Sequence, residues 1–365
     1  MSVLTKEKTL MIVTGGIGGG GLARVTTKIA NYYVDIGWDV VIVQLLADSV
    51  EDFYGLRGTV QFENFHENCT KIHGIKQIKP WLKLIRTAYY KHRPSTILCM
   101  ALKIGALACL SVGKDKNNPR IVVREMNDPK ALGRSRFVDG ILFKLCRRVN
   151  GFIFQTHWEK NCYPQYLSIK GAVVPNPIEV DNYSSIKREN RIVCVGTLRI
   201  KHKRQDILLR AFSVFEKSHP DYIVDFFGEG SDKQKLEKLA VDLGINNKIR
   251  FHGKTSDIMK KIVNASLFVM TSEYEGMSNS LVEALLLGIP CITSDWNGAN
   301  EIIENKINGL IFKRGDYLSL AQQMSFYVNN PDIAEKYAVE GKKQKEKYKE
   351  INVMPRYEKI ISGIE

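Results

Sequence analysis

Short runs of Val, Ile and Leu recur along this chain, and each gives way to a glycine or polar turn and then to a helix-spaced stretch. LMIVTGG (10–16) leads into LARVTTKIANYYVDIG (22–37) and on to WDVVIVQLL (38–46). STILCMAL (95–102), RIVVREM (120–126), GFIFQT (151–156) and GAVVPNP (171–177) repeat the strand pattern. A strand with one wet face alternates apolar and polar residues; these runs are continuously apolar, so both faces must be covered. That combination predicts a parallel sheet with helices on each side. Pro175-Asn176-Pro177 interrupts the pattern, and the polar stretch EVDNYSSIKREN (179–190) reads as a linker.

The pattern then restarts. RIVCVGTL (191–198), YIVDFFGEG (222–230), KIRFHG (248–253), SLFVMTS (266–272), PCITSD (290–295) and NGLIF (308–312) read as strands, with helical stretches between them. At 365 residues the chain is too long for one typical core. The expected organisation is a first Rossmann-like domain over 1–178, a linker over 179–190, a second over 191–345, and a charged C-terminal helix over 346–365 packing back towards the first. Two such domains would face a central cleft, and ligands of open α/β sheets bind at the carboxyl ends of the strands. Every motif is therefore weighed by whether it follows a strand.

Gly15 to Arg24, GGIGGGGLAR, follows the first strand and opens a helix. Its G-x-G-x-x-G spacing invites a dinucleotide reading, but that reading needs an acid closing the second strand. Gln44 and Leu45 stand there and Asp48 comes late, so the spacing points more generally to backbone approaching an anion. VGTLRIKHKRQD (195–206) places Arg199, Lys201, His202, Lys203 and Arg204 just beyond a strand, where cations suit a diphosphate or form a solvated basic loop. FFGEGSD (226–232) is another strand-end glycine turn, uninformative alone. YEGMSNSLVEALLLGIP (274–290) is richer. Ser278, Asn279 or Ser280 suits a helix N-cap, whose free N–H groups bind sugar or phosphate oxygens. Glu283 would lie in the first turn or so, placed to accept bonds from vicinal hydroxyls or to interact with the helix dipole. Glu275 stands on the loop before the cap, facing either sugar hydroxyls or solvent.

Taken together, E-x7-E after a strand, opening a helix that ends in G-x-P, resembles the donor-binding motif of retaining glycosyltransferases of family 4, which have the GT-B fold. The resemblance runs over almost the whole chain. GGLARV (20–25) is similar to that family's GGAERV loop, VVPNPI (173–178) to its hinge, FFGEGSDKQKLEKL (226–239) to its GDGP turn, and MTSEYEGMSNSLVEALLLGIPCITSD (270–295) to its second domain. The resemblance implies transfer of a hexose or N-acetylhexosamine from a nucleotide sugar, UDP-linked before GDP-linked, with retention at the anomeric carbon. Lys203 would neutralise the donor diphosphate and Glu283 would bind the ribose. Glu275 would contact the sugar, helped by the backbone N–H groups of Gly276, Met277 and Ser278. Gly15 and Gly16 would approach the donor phosphates from the other domain.

The chain departs from the family in two places. The usual G-R-L is Gly196-Thr197-Leu198, which puts Thr197 on the donor side and leaves Arg199, two residues on, to replace the missing arginine. Met126 stands where many members carry a histidine; the local VVREMNDPK is similar to the ERNDP of some bacterial members. Glu125, Asn127 and Asp128 are accordingly expected near the acceptor, Asn127 and Asp128 as catalytic candidates. No Asp-x-Asp pair is present. No bound cofactor and a metal-independent reaction are the expectation, with cations and helix N-termini meeting the leaving-group charge.

Charge extends the reading to a partner. Residues 1–178 carry 25 Lys+Arg against 13 Asp+Glu, and residues 179–365 carry 28 against 26, so +12 of the net +14 lies in the first half. KIHGIKQIKPWLKLIRTAYYKHR (71–93) interleaves seven Lys+Arg with Trp81, Leu82, Ile85, Tyr89 and Tyr90, and GRSRFVDGILFKLCRRV (133–149) adds Arg134, Arg136, Lys144, Arg147 and Arg148. Basic helices with aromatic residues lie on anionic membranes. The expectation is a cytoplasmic enzyme held peripherally on the inner membrane face, acting on a lipid-linked glycan acceptor in capsule, O-antigen or exopolysaccharide synthesis. Ordinary Rossmann helices with a charged outer face are the plain alternative. No apolar run is long enough to span a membrane, the N-terminus lacks a signal-peptide pattern, and seven scattered cysteines without a CxxC pair read as buried thiols. The rivals are a sugar-nucleotide epimerase of the same fold, an NAD oxidoreductase, and a non-catalytic basic scaffold; no nucleic-acid motif supports the last.

Overall fold

The computed structural model describes residues 8–46, 54–64, 74–113, 119–183 and 187–363. The chain forms two compact units, Met1–Pro177 with Ile351–Glu365, and Ile178–Glu350.

The first unit holds a seven-stranded sheet of β1 (Thr9–Thr14), β2 (Asp39–Gln44), β3 (Gln61–Asn64), β4 (Thr96–Cys99), β5 (Arg120–Arg124), β6 (Gly151–Phe154) and β7 (Gly171–Val173). Its order is β3-β2-β1-β4-β5-β6-β7, and every pairing is parallel. The continuous apolar runs are explained by what each face meets. Met11 and Val13 point into one core with Trp81, Ile85 and Leu107, while Leu10 and Ile12 point into another with Ile29, Tyr33, Met354 and Tyr357. A pleated strand sends successive side chains to opposite faces, so burial of both faces removes the polar positions.

This architecture corrects the lipid-facing reading of the 71–93 segment. Its helix, Ile78–His92, buries Trp81, Ile85, Ala88 and Tyr89 against the sheet, and Lys103 Nζ lies 4.8 Å from the centre of the Trp81 ring. The stripe that looked suited to a membrane is the stripe a parallel sheet needs as cover. Residues 71–73 and Asp48 lie outside the described residues. No helix among the described residues is long and apolar enough to cross a membrane.

The second unit holds β8 (Glu189–Val195), β9 (Ile223–Phe227), β10 (Ile249–Phe251), β11 (Ala265–Met270), β12 (Cys291–Ser294) and β13 (Leu310–Phe312), all parallel, in the order β10-β9-β8-β11-β12-β13. The connections run one way from β8 to β10 and the other way from β11 to β13. The chain therefore reverses direction between β8 and β11, and a crevice opens at their carboxyl ends. Parts of the stretch read as a linker are packed: Val180 is buried and β8 already begins at Glu189. The terminal helix runs from Glu350 to Ser362, and the Lys345–Tyr348 turn before it stays with the second unit because Tyr348 is buried there and its carbonyl accepts from Ile178 N–H at 2.8 Å. In the first unit, Arg124 Nε donates to Tyr357 Oη of that last helix at 3.0 Å, and Arg120 Nε donates to the Ile360 carbonyl at 3.0 Å.

Candidate functional site

The loop after β8 carries the basic motif, and its path is set by the loop after β9. Gly196 N–H donates to the Phe227 carbonyl at 2.9 Å, Leu198 N–H to the Glu229 carbonyl at 2.9 Å, and Ile200 N–H to Asp232 Oδ2 at 3.0 Å. The two backbones touch. A Cβ at Gly228 would lie 2.1 Å from the Gly196 oxygen, and one at Gly230 would lie 2.2 Å from the Leu198 oxygen. FFGEGSD, silent in the sequence, is thus a cradle in which glycine is required by approach. From this loop the short Ile200–Lys203 turn throws the Lys203 side chain back over Gly196, whose added Cβ would meet Lys203 Cε at 3.4 Å.

The loop after β11 meets that turn from the other side. Thr271 Oγ1 donates to the Lys203 carbonyl at 2.8 Å, and Glu273 N–H donates to the His202 carbonyl at 2.8 Å. His202 stacks on Tyr274 with ring centres 4.1 Å apart, and its Nε2 lies 2.9 Å from the Tyr274 carbonyl, which only accepts; Nε2 therefore carries the proton. Burial, with Lys203 adding to it, pulls the His202 pKa down. At the centre, Lys203 Nζ sits 2.6 Å from Glu275 Oε1, which also accepts from Ser272 Oγ at 2.6 Å. Glu275 is 8% exposed. Burial pushes its pKa up, and Lys203, His202 and the two hydrogen bonds more than reverse that, so the carboxyl stays below its ordinary range and charged.

Ser278 caps the next helix, Asn279–Leu286, with its Oγ accepting from Leu281 N–H at 3.4 Å, and Ser280 Oγ donates to the Val195 carbonyl at 3.3 Å. The helix N-terminus thus lies against the end of β8. Gly276, Met277 and Ser278 are buried between Glu275 and the cap. Because the helix begins at Asn279, Glu283 is its fifth residue rather than a member of its first turn, and it is 2% exposed. Thr197 and Arg199 are exposed on the loop edge. The structure therefore brings Lys203, Glu275 and the cap together at the reversal point, with Thr197 and Arg199 on its rim. Ser272, His202, Gly228 and Gly230 complete the arrangement. Sequence reading assigned His202 only to a general basic loop and passed over Ser272, because only the tertiary approach of the two loops gives them partners.

The first unit places its candidates differently. Gly15 and Gly16 end β1 on a loop whose Ile17 is buried in the core, and Ile17 N–H donates to Gln44 Oε1 at 2.9 Å. Gln44 in turn donates to Asn64 Oδ1 at 3.0 Å, so the position where a dinucleotide site keeps its acid holds an amide that ties the loop down. Asn127 is exposed. Asp128 is buried: its Oδ1 accepts from Lys130 N–H at 2.9 Å and lies 3.4 Å from Trp158 Nε1. That carboxylate closes its own turn. Glu125 is buried and accepts from Tyr163 Oη; burial raises its pKa against that hydrogen bond. Burial and nearby Glu125 likewise hold Glu159 well above the usual carboxylate range.

Among the described residues no group of three or more His, Cys, Asp or Glu side chains gathers as a metal site.

Comparison with known proteins bears on the same region. Residues 178–344 match the family model described as glycosyl transferases group 1. An uncharacterized glycosyltransferase of Haemophilus influenzae is 26% identical over 160 residues, covering 44% of this chain and 45% of that protein. The chain spans less than half the length of the first curated relatives it matches. An N-acetyl-D-galactosaminyltransferase of Campylobacter jejuni, named for a GalNAc-containing glycan on PP-undecaprenol, is 22% identical over 367 residues, covering 97% of this chain and 98% of its own. The crystal structure of Anabaena HepE in complex with UDP and glucose superposes with a TM-score of 0.81 at 17% identity, covering 97% of this chain and 99% of that one. Two α/β units with parallel sheets and this structural kinship define the GT-B fold.

Proposed function

We propose that this chain, whose second unit matches the group 1 glycosyl transferase model, is a retaining glycosyltransferase. It moves a hexose or N-acetylhexosamine from a nucleotide sugar, a UDP-sugar before a GDP-sugar, to a hydroxyl of a membrane-associated glycan such as a polyprenyl-diphosphate-linked oligosaccharide. The observation that carries the reading is the Lys203–Glu275 pair at 2.6 Å beside a helix N-terminus at the sheet's reversal point. The relatives add the chemical classes: a UDP-bound structure, and a transferase named for a glycan on PP-undecaprenol.

In this reading the ammonium of Lys203 turns from Glu275 to the donor diphosphate when the donor enters. Arg199 and the N-terminus of the Asn279–Leu286 helix share the phosphate charge, so the leaving group departs without a metal ion. Glu283 accepts from the ribose hydroxyls. Glu275 and the backbone N–H groups of Gly276, Met277 and Ser278 orient the sugar. The bond from the anomeric carbon to the phosphate oxygen breaks, the acceptor oxygen bonds to the same face, and its proton passes to the departing phosphate. The test is a screen of UDP- and GDP-sugars against a membrane lipid extract, read by nucleotide release. Release with one donor class, abolished in Glu275→Ala, supports the proposal. Isomerised free donor without acceptor identifies an epimerase and overturns it, as does the absence of release with every donor.

A further inference from the structure

The helix Arg136–Leu145 of the first unit differs from its neighbours in that none of its residues is buried. Leu142, Phe143 and Leu145 rest partly covered against the core. Phe137, at 77% exposure, Ile141, at 46%, and Val138 face outward, with exposed Leu132 just before the helix. Phe137 and Ile141 are one turn apart and so share a face. Lys144, a further three residues on, and Arg136 flank that face, and both are exposed. Arg147 follows, exposed and 5.1 Å over the Tyr166 ring, and Tyr166 is itself exposed. The segment's single acid, Asp139, is held by Arg134 at 2.6 Å.

Solvent-facing apolar residues on one turn, rimmed by cations that pair with no acid among the described residues, call for a partner that is apolar inside and anionic at its surface. A protein interface of this apolar character is depleted in lysine at its core. A bilayer accepts the apolar side chains below its headgroups and meets the lysine and arginine heads with lipid phosphate. The +12 excess of residues 1–178 adds long-range attraction of the same sign.

We propose that the Arg136–Leu145 helix is the docking surface of the first unit for an anionic lipid bilayer. Phe137, Val138 and Ile141 enter the headgroup layer, and Arg136, Lys144 and Arg147 contact lipid phosphates. The Ile78–His92 helix turns Trp81 and Tyr89 into the core and contributes exposed cations with Tyr90, over whose ring Arg86 and Arg93 lie. The inference stands on exposure and charge rather than on the transfer reaction, and lipid binding is read without any donor, so the two fail separately.

The test is flotation of the full chain with phosphatidylcholine vesicles, with and without phosphatidylglycerol, across a salt series. Binding is expected to need phosphatidylglycerol and to weaken with salt. The double change Phe137→Ser, Ile141→Ser is expected to weaken it by about tenfold or more, and Lys144→Glu by about fivefold or more, both with unchanged melting temperature because these side chains are exposed. Should the double variant fail to fold, Lys144→Glu decides. Binding that survives both variants overturns the proposal. So does a wild-type dimer that the double variant dissociates while vesicle binding persists, since the face is then covered by a second copy.

Discussion

Replacing Lys203 with methionine keeps the side chain's length and removes its charge, which isolates what the ion pair does. Glu275 is then left with Ser272 Oγ as its remaining partner. Breaking a buried pair by removing one member costs about 3–5 kcal/mol, because a charge is stranded away from water. The Lys203 and Glu275 side chains are 17% and 9% exposed, so the lower end, about 3 kcal/mol, applies. For a unit the size of Ile178–Glu350 that loss lowers the melting temperature by about 6–12 °C. The deficit has a pH signature. In the wild type the lowered Glu275 pKa contributes stability above the ordinary value of 4.5 and loses it as pH falls through the folded-state pKa below that. In Lys203→Met the largest influence opposing burial is gone and the Glu275 pKa rises, so acidification protonates the stranded carboxylate and narrows the gap to wild type. Adding Glu275→Gln removes the stranded charge, and the double variant returns to within about 1 kcal/mol of wild type. UDP affinity, measured by calorimetry, falls about tenfold or more in both lysine variants, because a hydrogen bond to a charged group is worth about 1.5–3 kcal/mol. Equal melting curves for wild type, the single and the double variant at neutral pH refute the ion-pair account. Undiminished UDP affinity refutes the assignment of Lys203 to the diphosphate.

Gly228→Ala and Gly230→Ala drive a methyl into the backbone of the β8 loop, and each is expected to cost more than about 2 kcal/mol in chemical denaturation and to weaken UDP binding in parallel; a silent alanine at both sites contradicts the cradle. Arg199→Ala, at an exposed position, is expected to leave stability within about 0.5 kcal/mol while reducing donor affinity severalfold; unchanged affinity removes Arg199 from the site. Glu159 carries a raised pKa, so its contribution is fully present below the ordinary value of 4.5 and is lost as pH rises towards the folded-state pKa. Glu159→Gln, neutral throughout, is expected to flatten the decline in melting temperature between acid and neutral pH, and an unchanged slope argues against a buried, proton-holding Glu159.

How far the sequence reaches is seen best at particular residues. Lys203, Glu275 and Ser278 were legible because each follows a strand-end pattern: a basic loop, a carboxylate before a cap, and a serine opening an apolar helix. Glu283 was legible as an acid on that helix, but its place in the second turn depended on which of Ser278, Asn279 and Ser280 became the cap. The turn that Asp128 closes was not legible, because a carboxylate two residues before an available N–H accepts from it only where the chain bends, and spacing alone does not report the bend. Trp81 and Tyr89 were misread because an amphipathic stripe looks the same whether its cover is lipid or a sheet.

By itself, then, the sequence determined the two parallel-sheet units, the place where the pattern restarts, and the strand ends that carry chemistry. Those properties follow from local periodicity, which a single chain displays in full. Tertiary structure alone decided that Lys203 and Glu275, 72 residues apart, share a hydrogen bond, that Gly228 and Gly230 let two backbones touch, and which apolar faces remain uncovered. Burial, and with it the direction of every pKa shift at the site, belongs to what packs around a residue, and that is set by contacts distant in sequence.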